Sequence, residues 1–107
     1  MTTPFVATVR SRRDVIRLAA PGEPVISVRV EVPDVWDVVR VDTPAEQPVL
    51  AVKRAALTAL VPGADAAEYV IKLRGFEVLD ERASLAEAGA IDGSIFLVAH
   101  RRRRPVR

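Results

Sequence analysis

The sequence predicts an α+β fold in which one long helix packs across one face of a single mixed sheet. Two observations predict it. Residues 48–61 form the one long amphipathic segment, and short segments rich in β-branched residues precede and follow it. The predicted order is ββαββ-short helix-β. The apolar side chains that share one face of the long helix are Val49, Val52, Ala56, Leu57 and Leu60.

Proline residues set the expected bounds of the long helix. Pro48 suits a first helical position, where its missing N–H would have no intrahelical partner. Residues 43–46 also resemble a capping box, but a helix that began there would carry Pro48 in its interior. We therefore expect the helix to begin near Gln47 and to end at Pro62-Gly63, because proline cannot continue a helix.

The segments predicted to be strands differ before and after the helix. Residues 25–32 alternate apolar and polar side chains, and residues 36–42 follow closely enough to form an antiparallel hairpin with them. After the helix, residues 69–73 and 76–79 predict a third strand and a short fourth strand. Residues 94–99 are fully apolar, which is typical of a central strand.

A short helical turn is predicted between the fourth strand and the last. Ser84 and Glu87 have the spacing of a capping box, in which the two residues satisfy each other's backbone N–H groups. Gly89 lies where a C-terminal glycine cap is expected, and Asp92-Gly93 is a turn pair.

Charge divides the chain into an acidic domain with two basic ends. Residues 25–99 carry seven basic and twelve acidic side chains, whereas residues 100–107 carry five arginines and no acid. We therefore predict a domain over residues 25–100 and an Arg-rich C-terminal tail over residues 101–107.

Residues 1–24 have four arginines against two acids and end in the strong break PGEP, which predicts a basic N-terminal arm. We favour a mobile arm over an integral element of the fold. Within it, residues 5–9 are a candidate strand, and residues 14–20 are a candidate helical turn or two.

The composition argues against catalysis and against a metal site. The chain has one histidine, no cysteine and no metal-ligand spacing, so we expect neither a nucleophilic triad nor a zinc site. Glu77, Asp80 and Glu81 form a carboxylate cluster, which fits a solvated turn better than an acid–base pair. We expect a protein that is not an enzyme and uses no cofactor.

The sequence shows no membrane span and no signal peptide. No run reaches the roughly 18 apolar residues of a spanning helix, and the first twenty residues lack a continuous apolar core. The lack of cysteine fits a reducing compartment. We expect a cytoplasmic protein.

Residues 25–101 resemble ubiquitin and the ubiquitin-like β-grasp domains. The similarity is carried by YVIKLRGFEVLDERASLAEAGAIDGSIFLVAHR, with its strand ending in Arg74-Gly75 and its Asp92-Gly93-Ser94 turn. Ser84-Leu85 stands where the family has Thr-Leu, and PVLAVKRAAL is similar to the start of the family's helix. The resemblance implies a β-grasp fold.

Lys53 interrupts the apolar face of the helix between Val49 and Leu57. A bare ammonium group is costly to bury, so this side chain either reaches the rim or meets a fixed acidic partner. Ubiquitin has a lysine at this helical position, placed against an aspartate just after the fourth strand. The resemblance therefore implies a semi-buried structural ion pair between Lys53 and Asp80.

Two departures from ubiquitin bear on function. Ubiquitin-like modifiers end in Gly-Gly, whereas no glycine follows Gly93 here, so we expect no conjugation through this terminus. The position at which ubiquitin exposes an isoleucine on its third strand is Lys72, so proteins that read that apolar patch should not bind. The missing Gly-Gly and the small size are similar to the bacterial YukD-type ubiquitin-like proteins, which implies a link to type VII secretion.

The candidate partner-binding residues are Arg101, Arg102, Arg103, Arg104, Lys72, Trp36 and Phe76. The arginines predict a docking strip for an acidic groove of a partner protein, or else a solvated tail. The two aromatic residues are candidate hot spots, although packing in the core or at a sheet edge is the favoured role for each.

We therefore expect a non-catalytic interaction module, or adaptor, that binds another protein through its sheet face and basic tail. One alternative is a ubiquitin-like modifier of a bacterial conjugation-type pathway. The other is a small polyanion-binding protein. Nucleic acid is the weaker expectation as a partner, because the chain has few aromatic residues on which bases could stack.

Overall fold

The computed structural model describes residues 15–101, which form a six-stranded sheet with one long helix against one face. The candidate strand at residues 5–9 and the tail residues Arg102, Arg103 and Arg104 lie outside the described residues. The strands are β1 Val15–Arg17, β2 Ile26–Val32, β3 Asp37–Thr43, β4 Tyr69–Leu73, β5 Phe76–Glu77 and β6 Ile95–His100, and the helices are α1 Val49–Leu60 and α2 Leu85–Ala88. The predicted order ββαββ-short helix-β is confirmed, with one further strand ahead of it.

The strands pair in the order β1-β3-β2-β6-β4-β5, which makes the sheet mixed, as predicted. β2 and β3 form the expected antiparallel hairpin, joined by the 3-10 turn Pro33–Val35. β2 and β6 are the central pair and run parallel, which requires the long connection that contains α1. Because they are parallel, the C-terminal ends of β2 and β6 lie side by side.

The core lies between α1 and one face of the sheet. On the helix, Val49, Val52, Ala56 and Leu57 are buried as predicted, and Leu60 is partly buried. Full burial of a valine or leucine side chain contributes about 1.5–3 kcal/mol, so this face anchors the helix to the sheet. The buried apolar residues of the central strands are Val28, Val30, Val32, Val39, Val41, Ile71, Leu73, Phe96 and Val98.

Backbone contacts with the loop after β5 cap the N-terminus of α1. The N-cap residue Pro48 itself makes no side-chain hydrogen bond. The N–H of Val49 donates to the carbonyl of Ala83 at 2.9 Å, and the N–H of Leu50 donates to the carbonyl of Glu81 at 2.8 Å. These contacts satisfy backbone donors that a helix leaves without intrahelical partners. They also fix the loop after β5 across the start of the helix.

The predicted capping box of α2 is confirmed. The Ser84 hydroxyl accepts a hydrogen bond from the Glu87 N–H at 3.0 Å, and the Glu87 carboxylate accepts one from the Ser84 N–H at 2.9 Å. Gly89 ends the turn with a φ of 95°, a left-handed conformation that glycine adopts without strain.

The prediction of helical turns at residues 14–20 is wrong, because Val15–Arg17 is strand β1. β1 runs parallel to β3, with the side chain of Ile16 buried opposite Val41. The Leu18 N–H extends the pairing by donating to the Asp42 carbonyl at 2.8 Å. Two adjacent β-branched residues favour a strand, and the open edge of β3 supplies unpaired backbone groups. The sheet therefore begins inside the segment that the sequence assigned to an N-terminal arm.

Candidate functional site on the outer face of the sheet

The outer face of the sheet points away from α1 and carries exposed and half-buried side chains. Along β2, Arg29 and Glu31 are exposed between buried valines, as the alternation of a half-buried strand requires. The strand register aligns one row of side chains across five strands: Val38, Glu31, Leu97, Lys72 and Glu77. The structure therefore places the predicted binding residue Lys72 on this face, directly opposite Leu97.

Apolar side chains occupy the middle of the outer face. Val38 is 41% exposed and Ile95 is 49% exposed. Leu97, two residues after Ile95 on β6, is half-buried, and half-buried Val70 and Ala99 oppose each other on β4 and β6. Ile95, Leu97, Ala99 and Val70 form an apolar centre on β6 and β4. Exposed Arg29 and Glu31 of β2 border this centre and separate it from Val38 on β3.

An ion pair fixes the end of this face near β1. The Arg40 guanidinium donates to both carboxylate oxygens of Asp42, at 2.9 and 3.0 Å, and the Ser27 hydroxyl donates to the same carboxylate at 2.7 Å. The hydrogen bond from Arg40 holds the pKa of Asp42 below its usual range, with help from Ser27 and against the opposing effect of burial. The same contacts raise the pKa of Arg40.

Arg29 lies directly opposite Arg40 in the β2–β3 pairing. Two like charges at this position repel, and Asp42 neutralises only one of them. Within residues 15–101, the Arg29 guanidinium has no hydrogen-bond or ion-pair partner. It borders a surface depression of about 320 Å³, also lined by Arg40, Asp92 and Ile95. Arg29 is therefore available to an acidic group of a bound partner.

Trp36 lies in the hairpin loop that joins the end of β2 to β3. It is 92% exposed, so the favoured prediction that it packs in the core or at a sheet edge is wrong. Its φ of 53° and ψ of 44° are left-handed, and this backbone directs the chain from the 3-10 turn into β3.

Phe76 is 78% exposed, so the packing role favoured from the sequence is wrong for this residue as well. It opposes the buried residue Leu73 in the β4–β5 pairing, and directly opposed side chains lie on the same face of a sheet. Phe76 therefore lies on the α1 side, at the far edge. The structure therefore does not bring Phe76 together with Lys72, which lies on the outer face.

Arg101 follows β6 directly and is tied to the chain just before β4. Its N–H donates to the Glu68 carbonyl at 2.7 Å, and its guanidinium donates to the carbonyls of Ala67 and Tyr69 at 3.3 and 3.4 Å. A carboxylate oxygen of Glu77 lies 3.9 Å from a guanidinium nitrogen of Arg101. Of the predicted docking arginines, this one has an anchored backbone and a half-exposed side chain.

The predicted ion pair between Lys53 and Asp80 is wrong in its acidic partner. The Lys53 ammonium donates to both carboxylate oxygens of Glu81 at 2.9 Å, whereas the Asp80 carboxylate accepts the N–H of Arg82 at 3.1 Å. The hydrogen bond from Leu50 to the Glu81 carbonyl holds Glu81 over the helix and so selects it. Lys53 itself is buried, as its place in the apolar face requires.

No group of three or more histidine, cysteine, aspartate or glutamate side chains in residues 15–101 is arranged to hold a metal ion. Over the same part of the chain, no helix combines the length and the apolar character needed to cross a membrane.

No protein-family model and no curated protein matches the sequence, but solved structures match the fold. The ubiquitin-like domain of an Arabidopsis thaliana protein has a TM-score of 0.63 at 18% identity, over 84% of this chain and 92% of that one. Caldiarchaeum subterraneum ubiquitin has a TM-score of 0.62 at 14% identity, over 77% and 96%. The UBL domain of Plasmodium falciparum Dsk2 has a TM-score of 0.61 at 21% identity, over 71% and 97%.

The chain has the ubiquitin-like β-grasp fold. On this ubiquitin-like sheet, sequence reasoning located Lys72 but missed four further residues of the outer face: Arg29, Val38, Arg40 and Ile95. A signal for Arg29 was present, because the alternation of residues 25–32 separates it from the buried valines. No comparable signal marked Arg40 as its direct neighbour, since that contact depends on the hairpin register.

Proposed function

We propose that this ubiquitin-like domain is a non-catalytic interaction module that binds another protein on the outer face of its sheet. The observation that carries the proposal is the combination of exposed Val38 and Ile95 with Arg29, a cation without a partner in residues 15–101. Protein interfaces pair an apolar centre with a charged rim in this way, and exposed apolar patches mark such surfaces.

Arg29 and Lys72 on this surface favour acidic groups on the partner, whereas exposed Glu31, beside Leu97, favours a basic group there. Arg29 and Lys72 lie on either side of Leu97 and Ile95, so a partner that covers the apolar residues meets a cation on each side. Arg101, Arg102, Arg103 and Arg104 extend the positive charge beyond the end of β6. The anchoring of Arg101 supports a tail that starts from a fixed point.

We further propose that the module acts as a bacterial adaptor of the YukD type, in the cytoplasm and linked to type VII secretion. The adaptor type and the secretion link rest on the resemblance given in the sequence analysis. The lack of cysteine supports a reducing compartment, and Lys72, in place of the exposed isoleucine of ubiquitin, supports a partner other than the proteins that bind ubiquitin through that patch.

The test uses the full chain with an N-terminal tag to capture proteins from a lysate of the native host. One half of the sample is washed under native conditions and the other under fully denaturing conditions, and the retained proteins are identified by mass spectrometry. Lys72→Glu reverses a charge on the outer face, and Arg54→Glu is the matched control on the exposed side of α1. We expect proteins that are retained only under native washes, kept by Arg54→Glu and reduced at least tenfold by Lys72→Glu.

Three other results would contradict this function. If both variants lost the captured proteins equally, the interface would not lie on the outer face. Partners that survive the denaturing wash, with a cross-linked peptide from this C-terminus, would make the protein a modifier. Retention of DNA with a steep loss of affinity as salt is raised would make it a polyanion-binding protein.

A further inference from the structure

The hairpin loop between β2 and β3 presents the sole tryptophan of the chain to solvent. Trp36 is 92% exposed, and its neighbours Val35 and Val38 are 40% and 41% exposed. We name these three residues the Trp36 knob. Val38 also belongs to the outer face, so the knob is continuous with that surface.

The backbone at Trp36 is strained in a way that folding does not require. A φ of 53° is uncommon for any residue other than glycine and is an outlier for a bulky one. The turn holds this conformation through the hydrogen bond from the Trp36 N–H to the Pro33 carbonyl at 3.0 Å. Glycine would satisfy the same turn without strain, and the exposed indole adds little burial. Strain kept at an exposed aromatic residue points to a role in binding.

Two carboxylates flank the knob. Asp34 and Asp37 are both exposed, and Asp37 is held in place because it accepts the Val38 N–H at 2.8 Å. Asp34 has no hydrogen-bond or ion-pair partner in the described part of the chain. Negative charge beside the indole disfavours the phosphates of anionic lipid and of nucleic acid, and it complements lysine and arginine.

We infer that the Trp36 knob inserts into an apolar pocket of a partner protein whose rim carries lysine or arginine side chains. Tryptophan is among the residues most enriched at interface hot spots, where it fills desolvated pockets. This inference rests on the proposed function and adds to it the anchoring loop and the chemistry of the pocket. The partner then presents a basic rim to the loop and acidic groups to Arg29 and Lys72.

The test uses tryptophan fluorescence, excited where tyrosine does not absorb. Trp36 is the one tryptophan of this chain, and the emission of each partner alone is subtracted. Each protein captured by the wild-type chain is purified and titrated into the full chain, and we expect the emission to shift to the blue as the indole leaves water. Trp36→Asn removes the indole but keeps a residue that tolerates the left-handed backbone. We expect this variant to weaken binding by about 30-fold or more without lowering the melting temperature.

Two further variants separate charge from general apolar exposure. Asp34→Asn combined with Asp37→Asn should weaken binding and flatten its dependence on salt, because the basic rim loses its counterpart. Leu79→Asn is the matched control, since Leu79 is 85% exposed and lies after β5, away from the loop. We expect it to leave the affinity unchanged.

A partner that binds Trp36→Asn with wild-type affinity, but is lost on Lys72→Glu, would overturn this inference and leave the proposed function standing. A blue shift on phosphatidylserine vesicles or duplex DNA would assign the knob to those ligands instead. A shift on concentrating the chain alone would make a second copy the occupant. Capture of no protein by the wild-type chain would refute both proposals.

Discussion

The ammonium group of Lys53 lies 2.9 Å from both carboxylate oxygens of Glu81. Lys53 is 1% exposed, and the side chain of Glu81 is 19% exposed, so the pair is largely removed from water. The attraction between two buried charges is largely offset by the cost of removing them from water. Loss of one partner is far more costly, because the other charge stays buried without compensation.

Glu81→Ala should lower the free energy of unfolding by about 3 kcal/mol, measured by urea denaturation, because it leaves Lys53 buried and unpaired. Asp80→Asn is the control. It keeps an acceptor for the Arg82 N–H and should change the stability by less than about 0.5 kcal/mol. The double variant Lys53→Met with Glu81→Leu should recover most of the loss, since it removes both charges. Equal losses at Asp80 and Glu81 would contradict this assignment.

Local sequence patterns were sufficient to predict α1, the β2–β3 hairpin and the capping box of α2, because each depends on residues close together in the chain. The place of Lys53 in the apolar face left two options, the rim of the core or an acidic partner, and the resemblance to ubiquitin implied the partner. The choice between neighbouring Asp80 and Glu81 did not follow, because it depends on the hydrogen bond from Leu50 to the Glu81 carbonyl. That contact joins residues far apart in the sequence.

Two other features, strand β1 and the exposure of Trp36, could not be predicted from local sequence patterns, each for a different reason. Strand β1 has three residues, too few to show a period, and its stability comes from pairing with β3. The exposure of Trp36 runs against the general tendency of tryptophan to be buried. Its surroundings are decided by a turn geometry that the letters PDVWD do not specify on their own.

Ile16→Ala should lower the free energy of unfolding by about 2–4 kcal/mol, because it leaves a cavity where β1 packs against the core. Val15→Ala is the matched control, since its half-buried side chain lies on the other side of the same strand. Val15→Ala should lower the free energy of unfolding by clearly less than Ile16→Ala does in the same urea titration. If Ile16→Ala has no effect on stability, the segment is a detachable arm, as the sequence suggested.

Lys72→Ile should make the protein associate with itself as its concentration is raised. The substitution replaces the cation opposite Leu97 with an apolar side chain and so extends the exposed apolar centre across the outer face. Sedimentation velocity over a concentration series measures this association. Lys72→Thr also removes the charge and is β-branched, and it should remain in the state of the wild-type chain.

The ionisation of Asp42 should make the free energy of unfolding depend on pH in the acid range. Its pKa is lowered in the folded chain by the hydrogen bond from Arg40, so below neutrality the unfolded chain binds the proton more readily than the folded chain does. The stabilisation is therefore complete above the unfolded pKa of about 3.9 and is lost as pH falls through the lower folded value.

Asp42→Asn should thus lower the free energy of unfolding by about 1 kcal/mol at pH 7, a modest value because the Arg40 side chain is half exposed. Urea titrations at several pH values should show the gap between wild type and variant closing below about pH 4. Asp37→Asn, at an exposed carboxylate that only accepts the Val38 N–H, should show a much smaller gap at pH 7. A gap for Asp42→Asn that persists unchanged into acid would mean that the Arg40–Asp42 charge interaction does not stabilise the fold.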